Sequence, residues 1–181
     1  VAALRRSVAL ARFDPFTTSK RQSYTNAACA IHELSALIRE GLPGRPKDRF
    51  NTVMQFSLWG NKMDLSLHAD AMMSEEGGKA LQGMQSRSTA QLAALHNAIL
   101  SDASAELWAK KLEGAEGTRI DIVLDNAGYE LFTDFILAHF LVKSKKASKV
   151  VWHTKCLPWF VSDASDADFQ WLVNQLAESD Q

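Results

Sequence analysis

Apolar residues recur at helical spacing through the first two thirds of the chain, as in Ile31, Leu34, Leu37 and Ile38 and again in Leu92, Leu95 and Ile99. Residues 1–117 therefore read as a mainly helical subdomain. Gly41-Leu42-Pro43-Gly44 ends the first long helix, because glycine accepts the left-handed cap and proline cannot continue the hydrogen-bond ladder. A further helix is expected over about residues 48–58. The stretch 66–88, with Met72-Met73, Glu75-Glu76 and Gly77-Gly78, has no clear period and reads as a loop or a frayed helix.

After Gly114-Ala115-Glu116-Gly117 the period changes. Arg119-Ile120-Asp121-Ile122-Val123-Leu124 is a short β-branched run bounded by turn residues, as expected of a buried parallel strand ending at Asp125. Residues 129–143 return to helical spacing, with Lys143, Lys145 and Lys146 near the C-terminal end where cations suit the helix dipole. Val150-Val151-Trp152-His153 forms a second strand, and residues 165–177 a last helix with Phe169, Leu172, Val173 and Leu176 inward. Strands near 119–125 and 149–154 joined by a helix make a βαβ unit. The expected fold class is thus α/β, a helical N-terminal portion packed on a partial doubly wound, Rossmann-like parallel sheet, with residues 118–181 supplying its βαβα part.

Composition narrows the function classes. Of the 181 residues 46% are hydrophobic and 23% charged, the usage of a globular protein rather than a disordered one. Twenty Lys and Arg against 21 Asp and Glu leave a net charge of -1, which argues against a nucleic-acid partner. No run reaches the ~20 apolar residues of a membrane helix and no leader is visible, so no membrane partner is expected and the location reads as cytoplasmic, a nuclear presence staying open. Cys29 and Cys156 match neither a CxxC pair nor a zinc spacing, and read as reduced thiols. His32, His68, His96, His139 and His153 lack paired-ligand spacing and read as structural.

Chemistry concentrates where the first strand ends. In open α/β sheets ligands bind outside the carboxyl ends of the strands, which is where Asp125-Asn126 falls. Asp163 follows the next strand, beyond Lys155-Cys156-Leu157-Pro158. Two carboxylates and an amide oxygen suit a hard divalent ion such as Mg²⁺ or Mn²⁺ with about three positions left open. Gly128, at the start of the following helix, permits close backbone approach, and the helix N-terminus offers N–H groups to a phosphate. The same Asp-Asn-x-Gly pattern is also good turn and N-cap chemistry, and the residues alone leave both readings open.

The segment Ile122-Val123-Leu124-Asp125-Asn126-Ala127-Gly128-Tyr129-Glu130-Leu131, followed by Pro158-Trp159-Phe160-Val161-Ser162-Asp163, resembles the core of the damage-control phosphatase family, particularly its acidic-residue (protein-glutamate) methyltransferase branch. Ser57-Leu58-Trp59-Gly60-Asn61-Lys62-Met63-Asp64-Leu65-Ser66 and Phe13-Asp14-Pro15-Phe16 with Ser19-Lys20 resemble the same branch. The resemblance implies that Asp125, Asn126 and Asp163 hold a divalent metal (Mn²⁺, Mg²⁺, Co²⁺ or Ni²⁺), with Asp125 and Asp163 catalytic. Glu130 would line the ligand pocket and, in the methyltransferase reading, serve S-adenosylmethionine. It also implies an Arg-Thr-x-Lys-type motif and further strands beyond residue 181, for which Arg87-Ser88-Thr89 is no substitute.

Asn61 and Asp64, three apart, share a helix face and have a pocket role or a capping role open to them. Lys155 reads as a phosphate contact or a surface lysine, and Asp134 as pocket support or a solvated helix position. Trp59 and Trp159 adjoin the motifs as possible pocket walls, whereas Trp108, Trp152 and Trp171 read as packing residues. The leading function is metal-dependent hydrolysis of a small phosphorylated metabolite such as a sugar phosphate. Either metal-activated water or attack by Asp125 fits it. The alternatives are S-adenosylmethionine-dependent methylation of protein glutamates, with a protein as substrate, and a non-catalytic interaction module.

Overall fold

A computed structural model of the chain describes residues 13–73, 95 and 98–179. Helices α1 (Thr17–Asn26), α2 (Ala28–Glu40) and α3 (Pro46–Met73) come first. A short α4 (Ser104–Leu107) runs into a π-helical turn (Trp108–Leu112), and then follow β1 (Thr118–Val123), α5 (Tyr129–Lys143), β2 (Ala147–His153) and α6 (Asp166–Ser179). No described helix is long and apolar enough to cross a membrane.

Helix α2 stops at Gly41, which takes φ +97° and donates its N–H to Leu37 O at 3.1 Å. Helix α3 starts on Pro46, whose fixed φ and missing N–H suit a first helical position. Asp48 in that first turn accepts from the Arg45 N–H at 3.1 Å. The helix runs well past the expected residue 58, continuing through 66–73, which the sequence pattern leaves irregular. Arg87-Ser88-Thr89 and the rest of 74–88 lie outside the described residues.

Strands β1 and β2 pair in parallel, from Arg119 opposite Lys149 to Val123 opposite His153, and α5 connects them as a βαβ unit. The molecule is thus α/β, with helices packed on a partial Rossmann-like sheet. Helix α5 is apolar on nearly every side because it is covered on nearly every side. Tyr129, Leu131, Phe132, Ile136, Leu137 and Leu141 are buried, sharing one core with Phe50, Val53 and Phe56 of α3. On its sheet side Phe135 stacks on Trp152 at 4.7 Å, and Phe169 of α6 packs against both rings. Trp108 is buried and Trp171 meets Tyr24 edge-on, as packing residues.

The expectation of a strand buried on both faces is corrected. Along β1 half-buried and exposed residues alternate, and Val123 is 76% exposed. Within the described residues only one sheet face is covered by helices. The open face instead carries Asp121, held by Arg119 Nε at 2.9 Å and Nη2 at 2.7 Å and by His153 Nε2 at 2.8 Å.

Candidate metal centre

The backbone after β1 and the backbone after β2 are stitched together at the carboxyl end of the sheet. Leu124, fully buried, continues the ladder by donating its N–H to His153 O. Asn126 then forms an antiparallel bridge with Asp163, flanked by the hydrogen bonds Ala164 N to Asp125 O at 2.8 Å and Ala127 N to Ser162 O at 2.7 Å. Lys155 bridges in parallel with Ser165, its N–H donating to Ala164 O at 2.9 Å. Residues 162–165 thus lie across both rim loops through two isolated bridges. Residues directly opposed in an antiparallel pair have Cβ atoms about 4.5–5.5 Å apart, so Asn126 and Asp163 are neighbours through their backbone pairing.

Side-chain bonds complete the cluster. The Asn126 amide donates to Asp125 Oδ2 at 3.1 Å and to Glu130 Oε2 at 2.9 Å, while its oxygen accepts from Ser162 Oγ at 2.7 Å. Lys155 Nζ donates to Leu124 O at 2.7 Å and to Asp125 Oδ1 at 3.3 Å. Its side chain is 31% exposed and belongs to the rim, not to open surface. Asp163 is 7% exposed, and its carboxylate has no hydrogen bond or ion pair to any described residue. Asp125, Asn126 and Asp163 give this rim an all-oxygen candidate donor set, two carboxylates and one amide oxygen, of the kind that suits a hard divalent ion. Among the described residues no three His, Cys, Asp or Glu side chains gather as a metal site.

Helix α5 begins beside these groups. Gly128, the N-cap residue, takes φ +78°, a conformation that favours glycine, and makes no side-chain cap bond. Helix α3 crosses α5 at Gly60, where an added Cβ would lie 2.6 Å from Thr133 Oγ1 and 2.8 Å from Glu130 Cα. Asn61 follows directly and is exposed, with no side-chain bond to a described residue. The side chain of Asp64 lies outside the described residues. One turn beyond Glu130, Asp134 is 7% exposed and accepts from Ser57 Oγ at 2.6 Å, which corrects the solvated alternative for this residue. Burial raises its pKa to about 7; the Ser57 bond opposes this, and the negative charges of Glu130 and Asp125 add to it.

Sequence reasoning overlooked Ser162, which orients the Asn126 amide, and Gly60, whose lack of a side chain lets α3 reach Glu130. Ser162 had a readable signal in its place beside Asp163. Gly60 had none, because a glycine inside a helix reads only as a weak position until its neighbour is known.

Residues 3–181 match the model of the damage-control phosphatase ARMT1-like domain. The chain is 36% identical over 177 residues to damage-control phosphatase ARMT1 of Danio rerio, covering 90% of this chain and 38% of that protein. The Homo sapiens protein of the same name is 37% identical over 180 residues (92% and 39%), and that of Macaca fascicularis 38% over 180 residues (91% and 38%). The chain therefore spans about two fifths of the length of the curated relatives it matches. The matched span takes in every residue of the rim described above, and the chain belongs to the ARMT1-like damage-control phosphatase family.

Proposed function

We propose that this chain forms the metal-binding portion of a phosphatase that hydrolyses small phosphomonoesters such as sugar phosphates with the help of a divalent ion, Mn²⁺, Mg²⁺, Co²⁺ or Ni²⁺. The observation that carries the reading is the backbone bridge of Asn126 to Asp163, with Asp125 bonded to the Asn126 amide, beside the N-terminus of α5. The names of the relatives support the phosphatase class.

Asp125, Asn126 and Asp163 would hold the ion, which when bound supplies Lewis acidity at a phosphoryl oxygen. Glu130 fixes the Asn126 amide through its nitrogen, leaving the amide oxygen, already anchored by Ser162, with a second lone pair. The N–H groups at the start of α5 receive phosphate oxygens along the positive end of the helix dipole. Lys155, tethered to Leu124 O, adds one positive charge on the Asp125 side and orients the phosphate.

The test is phosphate release from sugar phosphates by the natural full-length protein with Mn²⁺, Mg²⁺ or chelator, beside methyl transfer from S-adenosylmethionine to protein glutamates. Metal-dependent phosphate release, abolished in Asp125→Ala and Asp163→Ala, is expected. Full activity in chelator overturns the metal, and methyl transfer without phosphate release overturns the phosphatase.

A further inference from the structure

Away from the rim, Lys20 on α1 is 4% exposed, and its ammonium lies 2.7 Å from Asp14 Oδ2 and 2.8 Å from Asp168 Oδ2. The three side chains are between 2% and 11% exposed. Burial alone would push the ammonium toward neutrality, but the bonds and charges of Asp14 and Asp168 outweigh it and hold its pKa above the usual value. A buried ion cluster is weak evidence of stabilisation in itself, since apolar side chains of similar volume often serve a core as well. Its placement matters more than its strength.

Asp168 is the third residue of α6, and its Oδ2 accepts from Ser165 N at 2.9 Å and Ser165 Oγ at 2.6 Å. Asp168 N returns to Ser165 Oγ at 3.4 Å, making a reciprocal capping box. Ser165 is two residues from Asp163, in the strand-like segment that clasps Asp125 and Ala127. On its other side Lys20 borders a small cavity together with Ala127 and Gly128 of the turn after β1. Lys20 thus bonds the cap of α6 from 148 positions away in sequence and lines one cavity with the turn after β1.

We propose that Lys20 is a positioning residue for Asp163: by anchoring Asp168 and its cap on Ser165 to Asp14, it holds the 162–165 segment in register with Asn126, so that the Asp163 carboxylate faces the ion. This rests on the metal reading of the rim. The cluster ties the N-terminal motif around Asp14 to the centre without contacting the ion or the substrate.

The test titrates Mn²⁺ into the natural full-length protein and its Lys20→Met/Asp14→Asn variant, well below their melting temperatures. The double change removes the anchor, leaves no two carboxylates opposed and keeps the net charge of the cluster. Loss of a residue that orients a metal ligand commonly weakens metal affinity about 10–100-fold, and a loss of at least about tenfold is expected. Faster amide exchange at Ala127 and Ala164, with helix content unchanged by circular dichroism, is expected with it. A lower melting temperature with unchanged Mn²⁺ affinity would reduce Lys20 to a stabilising role and overturn the proposal. Should the double variant fail to fold, Asp14→Asn alone is titrated, where weakened binding supports the proposal and unchanged binding overturns it. A wild-type protein that binds no Mn²⁺ removes the metal reading itself and this proposal with it.

Discussion

A carboxyl group on the inner side of a helix must be neutral, paired or costly, and Asp134 shows which applies here. Its folded pKa of about 7 lies above the ordinary 3.8, so between those values the folded protein holds a proton that the unfolded chain releases. Stability contributed by this group is present in acid, falls as the pH rises from about 4 to about 7, and is flat above. Three pKa units correspond to about 4 kcal/mol. Asp134→Asn keeps an acceptor for Ser57 and removes the ionisation, so its melting temperature in chelator should exceed that of the wild type increasingly from pH 4 to 7. Equal profiles would mean that Asp134 ionises freely. At the rim, Asn126→Asp retains an oxygen donor but adds a negative charge beside Asp125 and Glu130. Metal binding should survive, while KM for a phosphate dianion rises more than kcat falls; the reverse split would place the amide in the chemical step.

At the scale of elements, the crossing of α3 over α5 positions Glu130, and Gly60 sets its closeness. A methyl group there meets backbone of α5 at 2.8 Å, which cannot swing aside as a side-chain end would. Gly60→Ala should cost about 1–3 kcal/mol by overpacking, a fall of roughly 3–10 °C for a chain of this size, and should weaken ligand binding by moving Glu130. Leu58→Ala, at a 55% exposed position on the same helix, should do neither and serves as the control. Melting curves with and without Mn²⁺ read both effects. Helix α5 serves two layers with its largely apolar surface, α3 on one side and the sheet with α6 on the other.

At the scale of the whole molecule, the centre joins segments that the chain keeps far apart, so an ion bound by Asp125, Asn126 and Asp163 should act as a clasp on the fold. At free Mn²⁺ a hundredfold above Kd the linkage is worth about 2.7 kcal/mol, a rise of roughly 5–10 °C. Asp163→Ala should abolish that rise while leaving the metal-free melting temperature within a few degrees. An equal rise in the variant would mean that the ion binds elsewhere.

The division between what was legible in the sequence and what was not follows the range of the interactions. The helices on either side of Gly41–Gly44, the change of period at Gly117, α5 over residues 129–143, both strands and the cap of α2 at Gly41 were readable, since each depends on backbone preference and periodicity within a few residues. Asp125 and Asn126 were readable as candidates for the same reason, standing where a strand ends and a helix begins. The extension of α3 to Met73 was not, because the residues beyond 66 show no clear helical period in the sequence. Nor was the half-open state of β1, since a β-branched run reads alike whether one face or both are covered. The burial of Asp134, the glycine contact at Gly60, the tether of Lys155 to Leu124 and the bond from Lys20 to Asp168 were decided by the tertiary structure alone. Each joins residues separated by tens of positions or more, and nothing in the local chemistry of either partner names the other.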